Sequence, residues 1–324
     1  MRALITGVAG FAGGHLAEYL MAATDWDVWG NVREAESLRS VMPGVRAVVA
    51  DLRDPLTAID LVDSSQPDFV FHLAAQAFVP QSWIDPWDTY ETNLLSQINL
   101  LDALVERGSA ARVLVIGSNE EYGLVAPDQL PLREDGPLRP YTPYAVSKVA
   151  QDFIGLQYAL GRQLPVVRVR PFNHIGPRQS EKFVASDFAK QIASIEAGRA
   201  PPVIKVGNLA AQRDFTDVRD MMRAYRLALE QGEAGEVYNI GSGTPRSIQH
   251  VLDILLGFSA EAIRVEVDPG RMRPADTPIS YCDASKFTAR TGWRPAIPFE
   301  QTLRDVLDDW RHRVGRGEPL RSPA

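Results

Sequence analysis

Short, nearly continuous apolar runs recur along the first half of the chain, each closed by glycine or a polar residue. Positions 2–6, 27–32, 45–50, 69–73 and 113–117 are of this kind, and 166–170 extends the set. Between them lie stretches with apolar residues at helical spacing: 11–22, 56–62, 89–105 and 142–160. Runs without in–out alternation belong to strands covered on both faces. Their alternation with helices predicts a parallel sheet in a doubly wound α/β (Rossmann) fold. After Pro171 the rhythm changes. Turn-rich stretches at 173–180, 207–213, 241–246 and 268–278 flank helices predicted at 183–197 and 248–256. The pattern Val237, Asn239, Gly241 predicts one more strand, returning to the first sheet. The reading is one domain over 1–172, rejoined by 215–242, with a smaller interleaved α/β domain mainly from 173–324. Residues 318–324 read as a loose tail.

Composition excludes more than it adds. The chain has 324 residues, 34 basic against 41 acidic side chains for a net charge of −7, and 45% hydrophobic residues. That is enough for one large core or two smaller ones, and too apolar for a disordered chain. An acidic balance argues against a general nucleic-acid binder, which needs clustered Lys and Arg. The single cysteine, Cys282, permits no internal disulfide. No apolar run approaches the ~18 residues of a membrane span, and a strand beginning at Arg2 leaves no room for a signal peptide. A cytoplasmic chain with no membrane or nucleic-acid partner is expected.

Thr6-Gly-Val-Ala-Gly-Phe-Ala-Gly13 places Gly7, Gly10 and Gly13 straight after the first strand, opening the first helix. Glycine there allows a tight turn and close backbone approach to a pyrophosphate, which meets the unpaired N–H groups of the helix start, around Phe11 and Ala12. An NAD site usually has a carboxylate about 20 residues on, against the ribose 2′-hydroxyl. Here the second strand ends Val32-Arg33 with no carboxylate, and Asp27 sits at its beginning. Arg33 suits a 2′-phosphate, so NADP (NADPH) is favoured over NADH. The plainer reading of Arg33 is a solvated surface arginine. Asp51, followed by Leu52, is read either as a cap on an adenine amino group or as a turn aspartate.

Tyr144 and Lys148 lie four apart in a helix whose start is marked by Thr142 as N-cap and Pro143 at the first position. That spacing puts both on one face. An ammonium beside a phenol favours the phenolate, so the Tyr144 pKa is expected below its usual 10. Gly117-Ser-Asn-Glu-Glu-Tyr-Gly123 follows the fifth strand, at the carboxyl edge where such folds place ligands. Ser118 is positioned to polarise a carbonyl and Glu120 to act as a base, while Glu121 and Tyr122 read as exposed. The five histidines, His15, His72, His174, His250 and His312, show no metal-ligand spacing, so no metal is expected.

Together the glycine turn, Leu73-Ala74-Ala75, the Ser118 segment and Tyr144-x-x-x-Lys148 resemble the extended short-chain dehydrogenase/reductase family. The second half sharpens the likeness. Phe172-Asn-His-Ile-Gly-Pro-Arg-Gln-Ser180, Asp187-Phe-Ala-Lys-Gln191, Val206-Gly-Asn-Leu209 and Arg213-Asp-Phe-Thr-Asp-Val-Arg-Asp220 resemble the GDP-6-deoxy-D-mannose reductases, close to the GDP-mannose 4,6-dehydratases. The resemblance implies that Leu73, Ala74 and Ala75 line the cofactor and that Lys148 also holds the nicotinamide ribose. It implies a GDP-sugar substrate, with Asn173 and Lys190 at the diphosphate or hexose, Arg213 and Arg271 at the phosphates, Val206 and Asn208 near the nucleoside, and Ser82 toward the sugar. The expected reaction is NADPH reduction of the C4 ketone of GDP-4-keto-6-deoxy-D-mannose to GDP-D-rhamnose. A homodimer through helices near 89–105 and 142–160 is also implied. One departure bears on the dehydratase alternative. Asn119 stands where many relatives carry Ser or Asp, and it cannot give up a proton, although Glu120 keeps the base position filled. Epimerising GDP-fucose synthases use a cysteine and a histidine near the sugar, and Cys282 is a poor match. A non-catalytic NADP-binding regulator is the alternative of another class, and it would be expected to lack the Tyr–Lys pair.

Overall fold

The computed structural model describes residues 1–272 and 277–316; the tail from Glu318 lies outside them. Seven strands form one sheet: β1 (Arg2–Thr6), β2 (Asp27–Val32), β3 (Arg46–Val49), β4 (Phe69–His72), β5 (Arg112–Ile116), β6 (Val166–Pro171) and β10 (Val237–Ile240). Their order is β10-β6-β5-β4-β1-β2-β3, with every neighbouring pair parallel. β4, β6 and β10 are buried at every residue, as strands covered on both faces must be. The strand at Val237 joins the far edge of this sheet.

Eleven helices are described: α1 (Phe11–Ala23), α2 (Pro55–Ser65), α3 (Val79–Ile84), α4 (Pro86–Tyr90), α5 (Ser96–Glu106), α6 (Pro143–Arg162), α7 (Val184–Glu196), α8 (Val218–Gln231), α9 (Ile248–Gly257), α10 (Ser285–Thr291) and α11 (Phe299–Gly315). α1, α8 and α10 cover one face of the large sheet through Leu16, Leu20, Met221, Tyr225 and Phe287. α2, α5 and α6 cover the other through Leu61, Leu100, Leu104 and Tyr158. The single helix predicted over 89–105 is instead α4 and α5 joined by a π-helical turn, Glu91–Leu95. That wide turn brings Asn93 inward, where its amide donates to the Ser147 hydroxyl (2.9 Å) on α6 and its carbonyl accepts the Gln76 N–H (2.8 Å). None of the described helices is long and apolar enough to cross a membrane.

Strands β7 (Asn173–Ile175), β9 (Gln212–Asp217), β11 (Pro245–Ser247) and β13 (Ile279–Ser280) form a small sheet, and β8 (Val203–Val206) pairs with β12 (Arg264–Val267). Several of these lie in stretches read as turns. They are two to six residues long and largely polar, too short to carry an alternation. α7, α9 and α11 close over this second core, centred on Phe188, Ile192, Phe215, Leu252, Leu303 and Trp310. Burying each such side chain is worth about 1.5–3 kcal/mol.

Asp214, fully buried on β9, ties the two cores together. Its carboxylate accepts the Ser242 N–H (2.8 Å) and hydroxyl, the Gly243 N–H (2.9 Å) and the Cys282 thiol (3.4 Å). Burial and this carboxylate hold the thiol pKa well up, so Cys282 is an interior donor with no nucleophilic character.

Candidate active site

β1 has β2 on one side and β4 on the other, so the chain leaves it at a point where the strand order reverses. A crevice opens there at the carboxyl edge. Gly7 turns the chain at φ +69°, and a Cβ on it would lie 3.0 Å from the Ala74 Cα. A Cβ on Gly13 would stand 2.3 Å from the Gly7 carbonyl oxygen. Gly10 is the N-cap of α1 and offers no side-chain cap, and no acidic residue lies in the first turn. The N–H groups over Phe11, Ala12 and Gly13 thus meet the crevice with an unopposed helix dipole, a seat for an anion.

Asn31, on β2, clamps this turn and was not anticipated. Its carbonyl accepts the Gly7 N–H (3.1 Å) and its amide donates to the Ala50 carbonyl (2.8 Å). A buried amide ending β2 was the available signal. On β4's side the Ala74 N–H donates to the Thr6 hydroxyl (3.0 Å), holding Leu73, Ala74 and Ala75 against the turn. Arg33 is exposed at the end of β2, with Glu34 3.4 Å from its guanidinium. Asp51 is gripped by Arg53 at 2.6 Å, which draws its carboxyl below the ordinary range. Leu52 buries its side chain in the core and presents its carbonyl to Asn99 (2.8 Å).

Thr142 caps α6 by accepting the Ala145 N–H (3.0 Å), with Pro143 in the first turn. Tyr144 and Lys148 then face β5 and are both buried, at 8% and 4% exposed. Lys148 Nζ donates to the Ile116 carbonyl (2.9 Å) and to Gln151 Oε1 (2.8 Å), and lies 5.9 Å from the centre of the Tyr144 ring. Here the structure corrects the expected depression of the tyrosine. Burial pushes the Tyr144 pKa up, opposed by a hydrogen bond with Ser118 and reinforced by Glu120 and Glu121. Lys148 spends its protons on Ile116 and Gln151, and burial pushes its own pKa down to about 8, against the pull of Glu121. The result is a neutral phenol beside an ammonium that discharges in the mildly alkaline range.

Ser118 caps a short 3₁₀ turn, Asn119–Glu121. Its oxygen accepts the Glu120 N–H (3.1 Å), leaving its proton for an acceptor on the Tyr144 side. Its own N–H donates to Glu121 Oε1 (2.7 Å). Glu120 is half-buried and close enough to raise Tyr144 electrostatically. Glu121 and Tyr122 are not exposed. Glu121 is fully buried and pairs with Arg170 (2.9 Å), which also pairs with Asp152 (2.5 Å); Asp152 in turn holds Arg168 (2.8 Å). Tyr122, 1% exposed, donates to Asn239 (2.6 Å). Gly117 makes room for this, since a Cβ there would lie 2.2 Å from Glu121 Oε1.

A pH dependence follows. Lys148 is cationic below its pKa of about 8 and neutral above it. The kcat/KM of a reaction needing the cation should therefore fall as pH rises through about 8, approaching tenfold per unit. A profile flat from about pH 7 to about pH 10 removes the ammonium from the account.

The remaining candidates belong to the second core. Asn173, on β7, has a buried Oδ1 with no hydrogen-bond partner. Lys190, on α7, lies 3.4 Å from Glu181 and 5.8 Å from the centre of the Trp310 ring. Arg213, on β9, donates to the carbonyls of Gln212 and Thr277, both at 2.7 Å. Arg271 pairs with Asp187 of α7, and Gly207 lets it approach, because a Cβ there would be 2.6 Å from the Arg271 carbonyl oxygen. Asn208 accepts the Ala210 N–H (3.0 Å). Two residues are buried. Val206 is fully buried in the second core, and its carbonyl accepts the Asp268 N–H (2.8 Å). Ser82 is buried in α3 and donates to the Val79 carbonyl (2.7 Å), a bond internal to its own turn.

A parallel nucleotide-binding sheet that gathers Ser118, Tyr144 and Lys148 at its carboxyl edge defines an extended short-chain dehydrogenase/reductase. Within that class, the chain belongs to the GDP-mannose 4,6 dehydratase family, whose model matches residues 4–306. It is 38% identical to the GDP-6-deoxy-D-mannose reductase of Pseudomonas aeruginosa, covering 97% of this chain and 98% of that protein. It is 28% identical to GDP-mannose 4,6 dehydratase 2 of Arabidopsis thaliana, over 95% and 86% of the two chains. Among solved structures, RMD from Pseudomonas aeruginosa complexed with NADPH superposes with a TM-score of 0.86 at 36% identity, over 96% of this chain and 99% of that one. A Thermus thermophilus UDP-glucose 4-epimerase complexed with NAD follows at 0.84 and 32%, over 96% and 99%.

Proposed function

We propose that this chain uses NADPH to reduce the C4 ketone of GDP-4-keto-6-deoxy-D-mannose, giving GDP-D-rhamnose. The observation that carries the reading is the hydrogen-bonded Ser118–Tyr144 pair beside Lys148, in a chain more similar to a reductase than to the dehydratases over nearly its whole length. The glycine turn fits a dinucleotide, because its three glycines leave a cradle that side chains would fill and α1 opens it without a competing cap. Gly7, Gly10, Phe11, Ala12 and Gly13 hold the pyrophosphate, Leu73, Ala74 and Ala75 line the far wall, and Arg33 takes the 2′-phosphate. When bound, NADPH supplies the hydride.

The protein's own part is to hold the ketone oxygen and deliver a proton. With the ketone bound, the Ser118 and Tyr144 hydroxyls would turn their protons to that oxygen. Burial keeps Tyr144 protonated, so it has a proton to give, and transfer converts the developing alkoxide to the C4 hydroxyl. Lys148 stabilises the phenolate left behind and holds the nicotinamide ribose. Asn173, Lys190, Arg213 and Arg271 hold the GDP moiety, with Arg271 exchanging Asp187 for phosphate. Glu120 lies close enough to Tyr144 to act on it electrostatically, which keeps 4,6-dehydration of GDP-mannose as the second reading. Incubation with NADPH and the keto sugar, followed by NMR of the product, tests the first: the C4 configuration of D-rhamnose is expected, and its C4 epimer or unchanged ketone contradicts it.

A homodimer and cytoplasmic residence are parts of the same proposal. Val146, Phe153 and Leu160 lie seven apart on the outer face of α6 at 42, 52 and 74% exposed, and Leu95 beside α5 is 41% exposed. Such a stripe fits a second copy through α5 and α6. The double change Phe153→Glu with Leu160→Glu should convert a dimer to a monomer by sedimentation velocity, and an unchanged sedimentation coefficient places the interface elsewhere.

A further inference from the structure

β11 lies antiparallel to β9 with Arg246 directly opposite Arg213, so both arginines project from one face of the small sheet. Phe215, two residues on from Arg213, shares that face and is in register with Asn173 on β7. Like charges placed directly opposite repel, and an anion lying across them relieves that cost. Among the described residues no carboxylate lies within ion-pair distance of Arg246. Its guanidinium rests over the Phe299 ring, 4.4 Å from the ring centre, and its Nε is buried with no hydrogen-bond partner. The Asn173 Oδ1 on the same face is likewise buried and unpartnered. Buried polar atoms are seldom left so, and a donor and an acceptor on one face beside a second arginine describe a polar ligand's seat.

We infer that Arg246 is a substrate-binding residue, forming with Arg213 a two-arginine clamp on the diphosphate of the nucleotide sugar. Phe299 lies against the Arg246 guanidinium and restrains it, and its planar fork is suited to two parallel N–H···O bonds to a phosphate. Arg213 is steadied by the Gln212 and Thr277 carbonyls, so both cations wait in place and binding orders neither. This rests on the nucleotide-sugar reading above.

Calorimetric titration of the full chain with GDP, and separately with NADPH, tests it. Arg246→Met keeps an apolar stem on Phe299 and loses the fork. It should weaken GDP about tenfold or more while leaving the NADPH Kd and the Tm unchanged. Arg246→Lys keeps the charge without the fork and should cost GDP a smaller factor. Wild-type GDP affinity in both variants overturns the clamp, as does an equal loss for GDP and NADPH, which marks a folding defect. If the wild-type chain binds NADPH and neither GDP nor UDP, the nucleotide-sugar reading itself fails, and the clamp with it.

Discussion

Replacing Tyr144 with phenylalanine is expected to lower kcat by about 10²–10⁴-fold while leaving NADPH affinity close to that of the wild-type chain. The hydroxyl is buried, protonated through the neutral range and hydrogen-bonded with Ser118. Removing it takes away a proton donor and deletes little packing, since the ring stays seated below Lys148. Turnover comes from the ketone assay, and cofactor affinity from quenching of protein fluorescence by NADPH. Unchanged turnover assigns the proton to another group. Unchanged turnover loss in a Ser118→Ala, Tyr144→Phe double variant relative to Tyr144→Phe alone is the signature of two residues acting on one oxygen.

The largest effect on stability is expected at Arg170, whose change to methionine should cost about 3–5 kcal/mol. Arg170 is 4% exposed and sits between Glu121 at 2.9 Å and Asp152 at 2.5 Å, with the Tyr122 hydroxyl accepting from it at 3.2 Å. Without it Glu121 lies buried without its ion-pair partner, and Lys148 is left to offset its charge from farther off. Burial and Asp152 already raise the Glu121 pKa, so the variant should recover part of the loss in acid, where the Glu121 carboxyl takes up a proton. Urea denaturation near neutrality and again in mild acid measures this, and equal losses at both pH values contradict the assignment of the cost to unpaired charge. The same network reaches the active site. Glu121 holds the Ser118 N–H, so Arg170→Met should also lower kcat through a loosened Ser118.

What was legible along the chain was what is local in it. The glycine turn, the Thr142 cap and the Tyr144–Lys148 spacing each span a few residues, and the structure has each where it was read. The strand at Val237 was legible from its apolar pattern, whereas α11 was not read, although Leu303, Val306, Leu307, Trp310 and Val314 recur at helical spacing. The ionisation of Tyr144 was not, because it depends on burial by elements distant in sequence and on where Lys148 spends its protons, at Ile116 and Gln151. Glu121 reads as a surface residue until Arg170, on β6, is known to lie beside it. The resemblance puts Val206 and Ser82 near the substrate, and their burial was not legible, because a motif does not say which side of a strand or turn a residue faces. Three-residue strands such as β7 and β11 exist only because β9 lies between them.

The most direct test of the central claim is the loss of nicotinamide absorbance when purified protein meets NADPH and freshly made GDP-4-keto-6-deoxy-D-mannose, beside a control with GDP-mannose alone. Rapid, stoichiometric oxidation of NADPH with the keto sugar, and no keto product from GDP-mannose, is the predicted result. Inertness toward the keto sugar together with keto product from GDP-mannose would contradict it and make this chain a dehydratase.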